Sequence, residues 1–396
     1  MSAKGNCMDI QAVEEAHTCG TYTKQPLVIV RGEGACLYSE DGEEYLDCSS
    51  GHGVANLGHA HPKVAEAIAK QASTLLTLFE SFPNDQRAAL MKKITSLMPG
   101  MDRVFFCNSG TETVEAAFKF ARVSTGRTGI VATMRGFHGR TMGALSATWN
   151  KAYREPFLPL VPDFSHVPYN NIEALDKAVT EKTAAVILEV IQGEGGVFPA
   201  SEDYLKAAQR ICKERGALLI IDEVQTGFCR TGRMFACQHF GITPDLLCVA
   251  KSLGGGIPIG AVLLGPAVQN LVPGMHGSTF GGNPLSCAAA NAALEVMKEE
   301  GLAKQAAEKG AYLMEKLRAI QSPLIREVRG MGLMVGIELK QKVIPYLRAL
   351  QEKHIIALNA GLTVIRLLPP LVITYEQLDH LAAALNEVLT NEIAGE

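Results

Sequence analysis

A lysine that closes an apolar run is the first residue in this chain with chemistry to offer. In LLCVAKSLGGGIPIGAV, Leu246 to Ala250 read as a buried strand and Lys251 follows at once. An ammonium there is costly to bury unless it pairs or reacts. Partly desolvated, it has a lowered pKa and can form a Schiff base with a carbonyl. Three glycines, Gly254 to Gly256, let backbone pass close to something bulky. A solvated lysine before a loop explains the stretch equally well, so by itself it leaves both readings open.

Two further strand ends bear on the choice. LLIIDEVQTG places Asp222 and Glu223 after an apolar run, where a buried carboxylate needs a cation. A protonated pyridine nitrogen is one such cation. A helix cap or a metal ligand is the plainer alternative, and no cluster of further carboxylates or histidines supports a metal. In CNSGTETVEAA, Ser109 and Glu112 form a capping box at a helix start. Ser109, Gly110 and Thr111 gather hydroxyls and free amides at the positive end of that helix, an anion site worth roughly 0.3–2 kcal/mol from the dipole. Taken singly it is an ordinary N-cap, and it lacks the P-loop pattern. Together, an anion-binding helix start, a strand-end aspartate and a strand-end lysine are the parts pyridoxal 5'-phosphate needs: they hold its phosphate, stabilise its pyridinium and bind its aldehyde.

The elements that must position these groups alternate. From Met101 the chain reads RVFFCN (strand), SGTETVEAAFKFARVSTG (helix), GIVATM (strand), RGFHGRTMGALSAT (loop), AAVILEVI (strand) and QGEGGVFPA (loop). The helix SEDYLKAAQRICKERG follows, with Ser201 as N-cap and Gly216 as stop, then the strands ALLIIDEV, LLCVAKS and AVLLG. This predicts an α/β fold with a mostly parallel sheet flanked by helices, whose ligands bind beyond the carboxyl ends of the strands. Residues 1–50 read as short strands and turns, with a hairpin around Glu40-Asp41-Gly42. Pro62 opens a helix with a Val64, Ile68, Leu75 stripe. Asn283-Pro284 opens a long Ala-rich helix. Beyond Gly301 come a helix, GMGLMVGIEL as one strand, the helix KVIPYLRALQEKH, the piece TVIRLLPPLVI, and a last helix capped by Thr374 and Gln377. The expected division is 1–54 completing a small domain, 55–293 as the large domain, and 294–396 as the smaller α+β domain.

Composition narrows the function. A chain of 396 residues with 47% hydrophobic and 20% charged residues is an ordinary globular protein. A net charge of −4 without a basic tract gives no sign of nucleic-acid binding. No signal-like segment or membrane-length run occurs, so the expected location is cytoplasmic, away from membranes. Ten scattered cysteines without a CxxC pair read as reduced and structural. His59 and His61 in GHAHP lack further ligands at metal spacing and read as a polar turn.

With these residues in view, the chain resembles the class III, fold-type I pyridoxal-phosphate aminotransferases, nearly end to end from Leu37. NLGHAHP, NSGTE, GFHGRT, GEGGV, DEVQTGFCRTG, AKSLGGGIPIGAV, STFGGNPL and VIRLLPPLVI carry the likeness. Within that class it is similar to acetylornithine aminotransferases. GHGVANLGH, SATWNKAYREPFLPLVP and IREVRGMGLMVGIEL resemble the branch that serves carrier-protein lysine and ornithine biosynthesis.

The resemblance implies roles. Lys251 binds the cofactor aldehyde and moves the proton, and Asp222 pairs with the pyridine nitrogen. Gln225 bonds the ring hydroxyl, Phe137 stacks on the ring, and His138 adjoins it. Ser109, Gly110 and Thr111 hold the phosphate, with Thr279 reaching it from the partner subunit of a homodimer. Arg140 and Arg366 bind carboxylates through a bidentate fork. Glu194 neutralises Arg366 while ω-amino substrates react, and His52 and Ser278 face the substrate. Two departures bear on which substrate is taken: Thr113-Val114 replace the family's Ala-Asn, and His52 replaces an aromatic or aliphatic residue.

The implied activity is an ω-aminotransferase that passes a terminal amine to 2-oxoglutarate, leaving a semialdehyde and glutamate. Its donor is N-acetylornithine, or lysine or ornithine attached through the α-amine to a small acidic carrier protein. 4-Aminobutyrate is a lesser candidate because it lacks a blocked α-amine. A racemase or aminomutase on the same fold needs no external acceptor, which the Glu194–Arg366 pairing disfavours. A non-catalytic phosphate-binding protein would use the NSGTE helix start alone.

Overall fold

The seven-stranded sheet at the centre of this computed structural model, which describes residues 8–391, is ordered by which strand ends it must bring together. Its strands run Arg103–Cys107, Gly260–Leu264, Leu246–Val249, Leu218–Asp222, Thr183–Glu189, Gly129–Thr133 and Phe164–Val167. Only Gly260–Leu264 runs against its neighbours; the pairs at the centre are parallel. Leu218–Asp222 lies in the middle and is buried along its whole length. Its side chains alternate between two cores, as a strand covered on both faces requires. Leu219 and Ile221 join Leu205, Ala208 and Ile211 of the helix Glu202–Arg215. Leu218 and Ile220 join Val114, Ala117 and Ala121 of the helix Gly110–Thr125.

Several expectations hold. Ser201 caps its helix through Tyr204 N–H at 3.2 Å, and Gly216 ends it in the left-handed region. Thr374 and Gln377 form a reciprocal capping box. The hairpin Cys36–Ser39/Glu44–Asp47 is present, and Asp47 and Leu46 pair in parallel with Ile356 and Ile355 from the far end of the chain. A second four-stranded sheet, in the order Ile325–Met331, Met334–Leu339, Val364–Leu367 and Leu358–Ala360, carries Arg366.

Other expectations are corrected by packing. The helix Pro62–Ala72 stops before Leu75, which is exposed, so the stripe continues only to Ile68. The residues before 50 include a helix, Ile10–His17, with no buried side chain. The loop RGFHGRTMGALSAT contains the buried helix Met142–Ala147, and GMGLMVGIEL is the turn and second strand of a hairpin that starts at Ile325. Phe164–Val167 forms the edge strand although its FSHV sequence has no long apolar run. The glycines after Lys251 make room for helices: a Cβ on Gly255 would lie 3.3 Å from Val64 of Pro62–Ala72 and 3.5 Å from Ala293 of Pro284–Glu299. The nine described cysteines are all free, and Cys7 lies outside the described residues. Among the described residues no helix is long and apolar enough to cross a membrane, and no group of three or more His, Cys, Asp or Glu could hold a metal.

Three backbones converge where the second sheet meets the central one. A Cβ on Gly310, inside the helix Leu302–Ala319, would sit 2.1 Å from the Gly332 carbonyl oxygen, and one on Gly332 would sit 2.6 Å from the Arg230 carbonyl oxygen. Helix propensity favours alanine over glycine by about 1 kcal/mol, but overpacking against backbone costs about 1–3 kcal/mol. Gly310→Ala is therefore expected to lower stability by about 1 kcal/mol or more, despite the better helix former. Denaturant unfolding of the two proteins checks the sign.

Candidate active site

The strand ends meet at one edge of the sheet. Asp222 is the register partner of Glu189 on one side and of Cys248 on the other, so Lys251 lies just beyond the same edge. The strand Leu246–Val249 ends before the lysine, which instead opens a 3-10 turn, Lys251–Gly254. Its φ of 44° lies in the left-handed region, unfavourable for a residue with a Cβ. Burial lowers the amine to about 8. Arg366 adds to that shift, while Glu194, Asp222 and Glu189 work against it.

A cavity of about 280 Å³ opens there, lined by Lys251, Asp222, Gln225, Phe137, His138, Gly110, Thr111, Arg140 and Glu194 among others. Asp222 is buried; one oxygen meets His138 Nδ1 at 2.8 Å and the other accepts the Val224 N–H at 3.0 Å. The helix Gly110–Thr125 points its first turn at the cavity, and only glycine fits at 110: a Cβ would lie 2.7 Å from Val224. Behind the cavity Arg366 is fully buried. Its Nη1 is 2.8 Å from Glu194 Oε1 and donates to Gln225 Oε1 at 3.2 Å, while Nη2 lies 3.4 Å from His52 Nδ1. Burial works to raise Glu194, but the Arg366 guanidinium outweighs it and holds the carboxyl below its ordinary range. Burial and Arg366 together lower His52. His52 sits in a left-handed turn in which Ser50, Gly51, His52 and Gly53 all have positive φ. Asp47 caps the start of that turn, and Ser252 Oγ donates to the Gly53 carbonyl at 2.9 Å.

Arg140 is exposed, its guanidinium 3.9 Å from the centre of the Tyr153 ring and 5.8 Å from that of Phe137. No carboxylate among the described residues pairs with it. Three expected site residues are not brought to the cavity. Ser109 Oγ is spent on the helix cap, bonding Glu112 Oε2 at 3.0 Å. The expected capping box is altered, because the backbone N–H that Glu112 accepts is that of Asn108, at 2.8 Å, and not that of Ser109. Ser278 Oγ meets Asn108 Nδ2 at 3.1 Å, and Thr279 is exposed outside the cavity of its own chain. Glu189 lines the cavity beyond the expected residues, and its sequence signal is that it ends the apolar run TAAVILE just as Asp222 ends LLIID. Val224 also lines it, with no signal of its own beyond following Asp222.

The residues fit pyridoxal phosphate. A helix start with a glycine cradle suits the phosphate, a buried carboxylate suits the pyridinium nitrogen, and a desolvated amine suits the aldehyde. The Nε atom of buried Arg366 has no hydrogen-bond partner among the described residues, which suits a carboxylate ligand.

Comparison with known proteins follows the same lines. The family model for class-III aminotransferases matches residues 19–389. The chain is 53% identical to the LysW-aminoadipate semialdehyde transaminase of Deinococcus radiodurans, over 96% of this chain and 90% of that protein. It is 46% identical to the acetylornithine aminotransferase of Methanosarcina acetivorans, over 93% of each. Among solved structures, an ornithine aminotransferase from Toxoplasma gondii, described with partial occupancy of PLP at its active site, superposes with a TM-score of 0.92 at 36% identity, covering 96% of this chain and 93% of that one.

Because only the unprotonated amine is nucleophilic, the lowered Lys251 sets a pH expectation. In cofactor-free protein, acylation of Lys251 by an amine-directed reagent should rise with pH and reach half its maximum near pH 8, well below an ordinary lysine. Peptide mass spectrometry across a pH series reads this directly.

Proposed function

The chain belongs to the class-III aminotransferases, and we propose that it is an ω-aminotransferase acting on lysine or ornithine whose α-amine is blocked, with 2-oxoglutarate as acceptor and pyridoxal phosphate as cofactor. The observation that carries this reading is the pair of arginines at different depths: Arg366 buried and already neutralised by Glu194, Arg140 exposed at the mouth without a carboxylate partner. A bare buried guanidinium would hold a carboxylate beside the reacting carbon and exclude an ω-amine. With Glu194 on Arg366, the inner site accepts a terminal CH₂–NH₂, and the distant α-carboxylate of the donor pairs with Arg140. When Glu194 leaves, Arg366 takes the α-carboxylate of the dicarboxylic partner.

Pyridoxal phosphate supplies an aldehyde that condenses with the amine and a ring that draws electrons from the adjacent C–H bond. Lys251 Nζ takes the proton from the ω-carbon and returns it during transfer. Its lowered pKa suits that exchange near neutrality. Asp222, held by His138 and the Val224 amide, would pair with the ring nitrogen. Gly110 and Thr111 would hold the phosphate, Phe137 would cover the ring, and Gln225 would bond the ring hydroxyl; all four line the cavity.

A second cavity of about 440 Å³ adjoins the first through Phe137 and Glu194 and includes Arg135, Trp149, Lys151 and Asn359. It offers room beyond what 4-aminobutyrate needs, which favours a donor with a blocked α-amine. Its single carboxylate, Glu194, is committed to Arg366, so the mouth is basic. This supports a small acidic carrier protein as the bearer of the donor. The division at residues 54 and 293 is kept in this reading, supported by the pairing of Leu46 and Asp47 with Ile355 and Ile356. A cytoplasmic location accords with nine free cysteines.

Homodimer formation is part of the proposal. Leu76, Phe79, Phe82 and Phe280 are each more than half exposed. Arg87 holds their segments together, donating to the carbonyls of Leu78, Phe82 and Gly282. Exposed large apolar side chains on segments tied together in this way call for a partner, and Thr279 directly precedes Phe280.

Two outcomes test these readings. In single-turnover half-reactions, Lys251→Ala should abolish transfer, and N-acetylornithine and carrier-linked lysine should both exceed 4-aminobutyrate. The double variant Arg135→Glu/Lys151→Glu should lower efficiency with the carrier-linked donor about tenfold more than with N-acetylornithine, and added salt should narrow that gap. For the dimer, light scattering should give twice the chain mass, and Phe280→Arg should yield monomer together with weaker cofactor retention.

A further inference from the structure

A buried carboxylate that the transfer reaction does not use lies beside Asp222. Glu189 ends the strand Thr183–Glu189, is buried, and lines the same cavity as Lys251. The basic side chains around it are committed elsewhere: His138 to Asp222 and Arg366 to Glu194, each at 2.8 Å. No ion pair to Glu189 occurs among the described residues.

What Glu189 holds is backbone. Its Oε1 accepts the Phe137 N–H at 3.0 Å, and its Oε2 accepts the Gly193 N–H at 3.1 Å. The first amide belongs to the loop that carries Phe137, His138 and Arg140; the second opens the turn that carries Glu194. Nearby, Gln192 Nε2 donates to Thr133 Oγ1 at 2.9 Å and to the Met134 carbonyl at 2.8 Å. A Cβ on Gly195 would lie 2.6 Å from the Arg135 carbonyl oxygen, so the two loops are already in close contact. A buried anion without a cation is kept only by hydrogen bonds of this sort. A carboxamide cannot replace it, because one of its two ends is a donor and would face an amide N–H. Burial pushes the Glu189 carboxyl up to about 7; His138 resists the rise, Asp222 adds to it, and the two amides resist it. Against that pull toward the neutral form, the two amide bonds are the only direct hydrogen bonds the Glu189 carboxyl accepts among the described residues.

We propose that Glu189 is a positioning residue that ties the Phe137 loop to the Glu194 turn, so that the aromatic wall of the cavity and the carboxylate masking Arg366 keep a fixed separation. The inference rests on the reading of Glu194 as that mask. Cutting the tie lets Glu194 drift from Arg366. The ω-amine half-reaction, which needs Glu194 in place, then suffers more than the glutamate half-reaction, which needs it displaced.

The test uses Glu189→Gln and Glu194→Gln holoenzymes, with hydrogen exchange by mass spectrometry and single-turnover half-reactions. In E189Q, exchange in the segments containing Phe137 and Gly193 should quicken at least tenfold while residues 183–188 keep their protection. Efficiency with N-acetylornithine should fall about tenfold more than with L-glutamate. E194Q should show the same kinetic split with native exchange at Phe137. A folded E189Q that lacks either change, alongside a split in E194Q, overturns the proposal. The absence of a split in E194Q overturns the reading of Glu194 instead. Should E189Q fail to fold, Glu189→Asp, one methylene too short to reach both amides, is put to the same two measurements with the same deciding outcomes.

Discussion

An amine buried at the end of a strand, with no carboxylate of its own, is the constraint around which this molecule is arranged. Lys251 lies in a field where burial and one guanidinium oppose three carboxylates. Arg366 and burial favour the neutral amine, while Glu194, Asp222 and Glu189 favour the ammonium. The balance leaves the amine near neutrality instead of far above it, which a lone pair must be if it is to attack a carbonyl and exchange a proton at working pH. The left-handed backbone at Lys251 is consistent with strain held by its surroundings: the adjacent Ser252 hydroxyl is anchored on Gly53, in another left-handed turn.

That balance depends on parts from separate sheets. Asp222 and Glu189 come from neighbouring strands of the central sheet, Glu194 from the turn that follows Glu189, and Arg366 from the second sheet. Arg230 helps to hold these layers together: it is fully buried and donates to the Leu333 and Pro369 carbonyls and to Asn56. With no carboxylate partner, burial lowers it to about 9. A guanidinium in that position is held by oriented carbonyl dipoles, and it fixes the distance between Arg366's strand and the rest of the site.

The sequence carried the chemistry further than the architecture around it. Lys251, Asp222 and Gly110 could be picked out because each follows a strong local signal: an apolar run that ends in a charge, or a capped helix start. Glu189 follows the same signal, but its role lies in two backbone contacts, to Phe137 and Gly193, the first of them far along the chain. The Ser109 hydroxyl, by contrast, is engaged in its own helix cap through Glu112, a partner three residues away. The edge strand Phe164–Val167 escaped notice because an edge position does not require a long apolar run.

What the amino-acid sequence determined by itself was the set of reactive groups, the alternation of strands and helices, and the caps that end them, since burial runs, capping and turn chemistry act over a few residues. The tertiary structure alone decided which strand ends adjoin, that Arg366 meets Glu194 across 172 positions of chain, and that Glu189 holds two loops through their backbone. Those contacts depend on sheet register and on the packing of one layer against another, which no local pattern encodes.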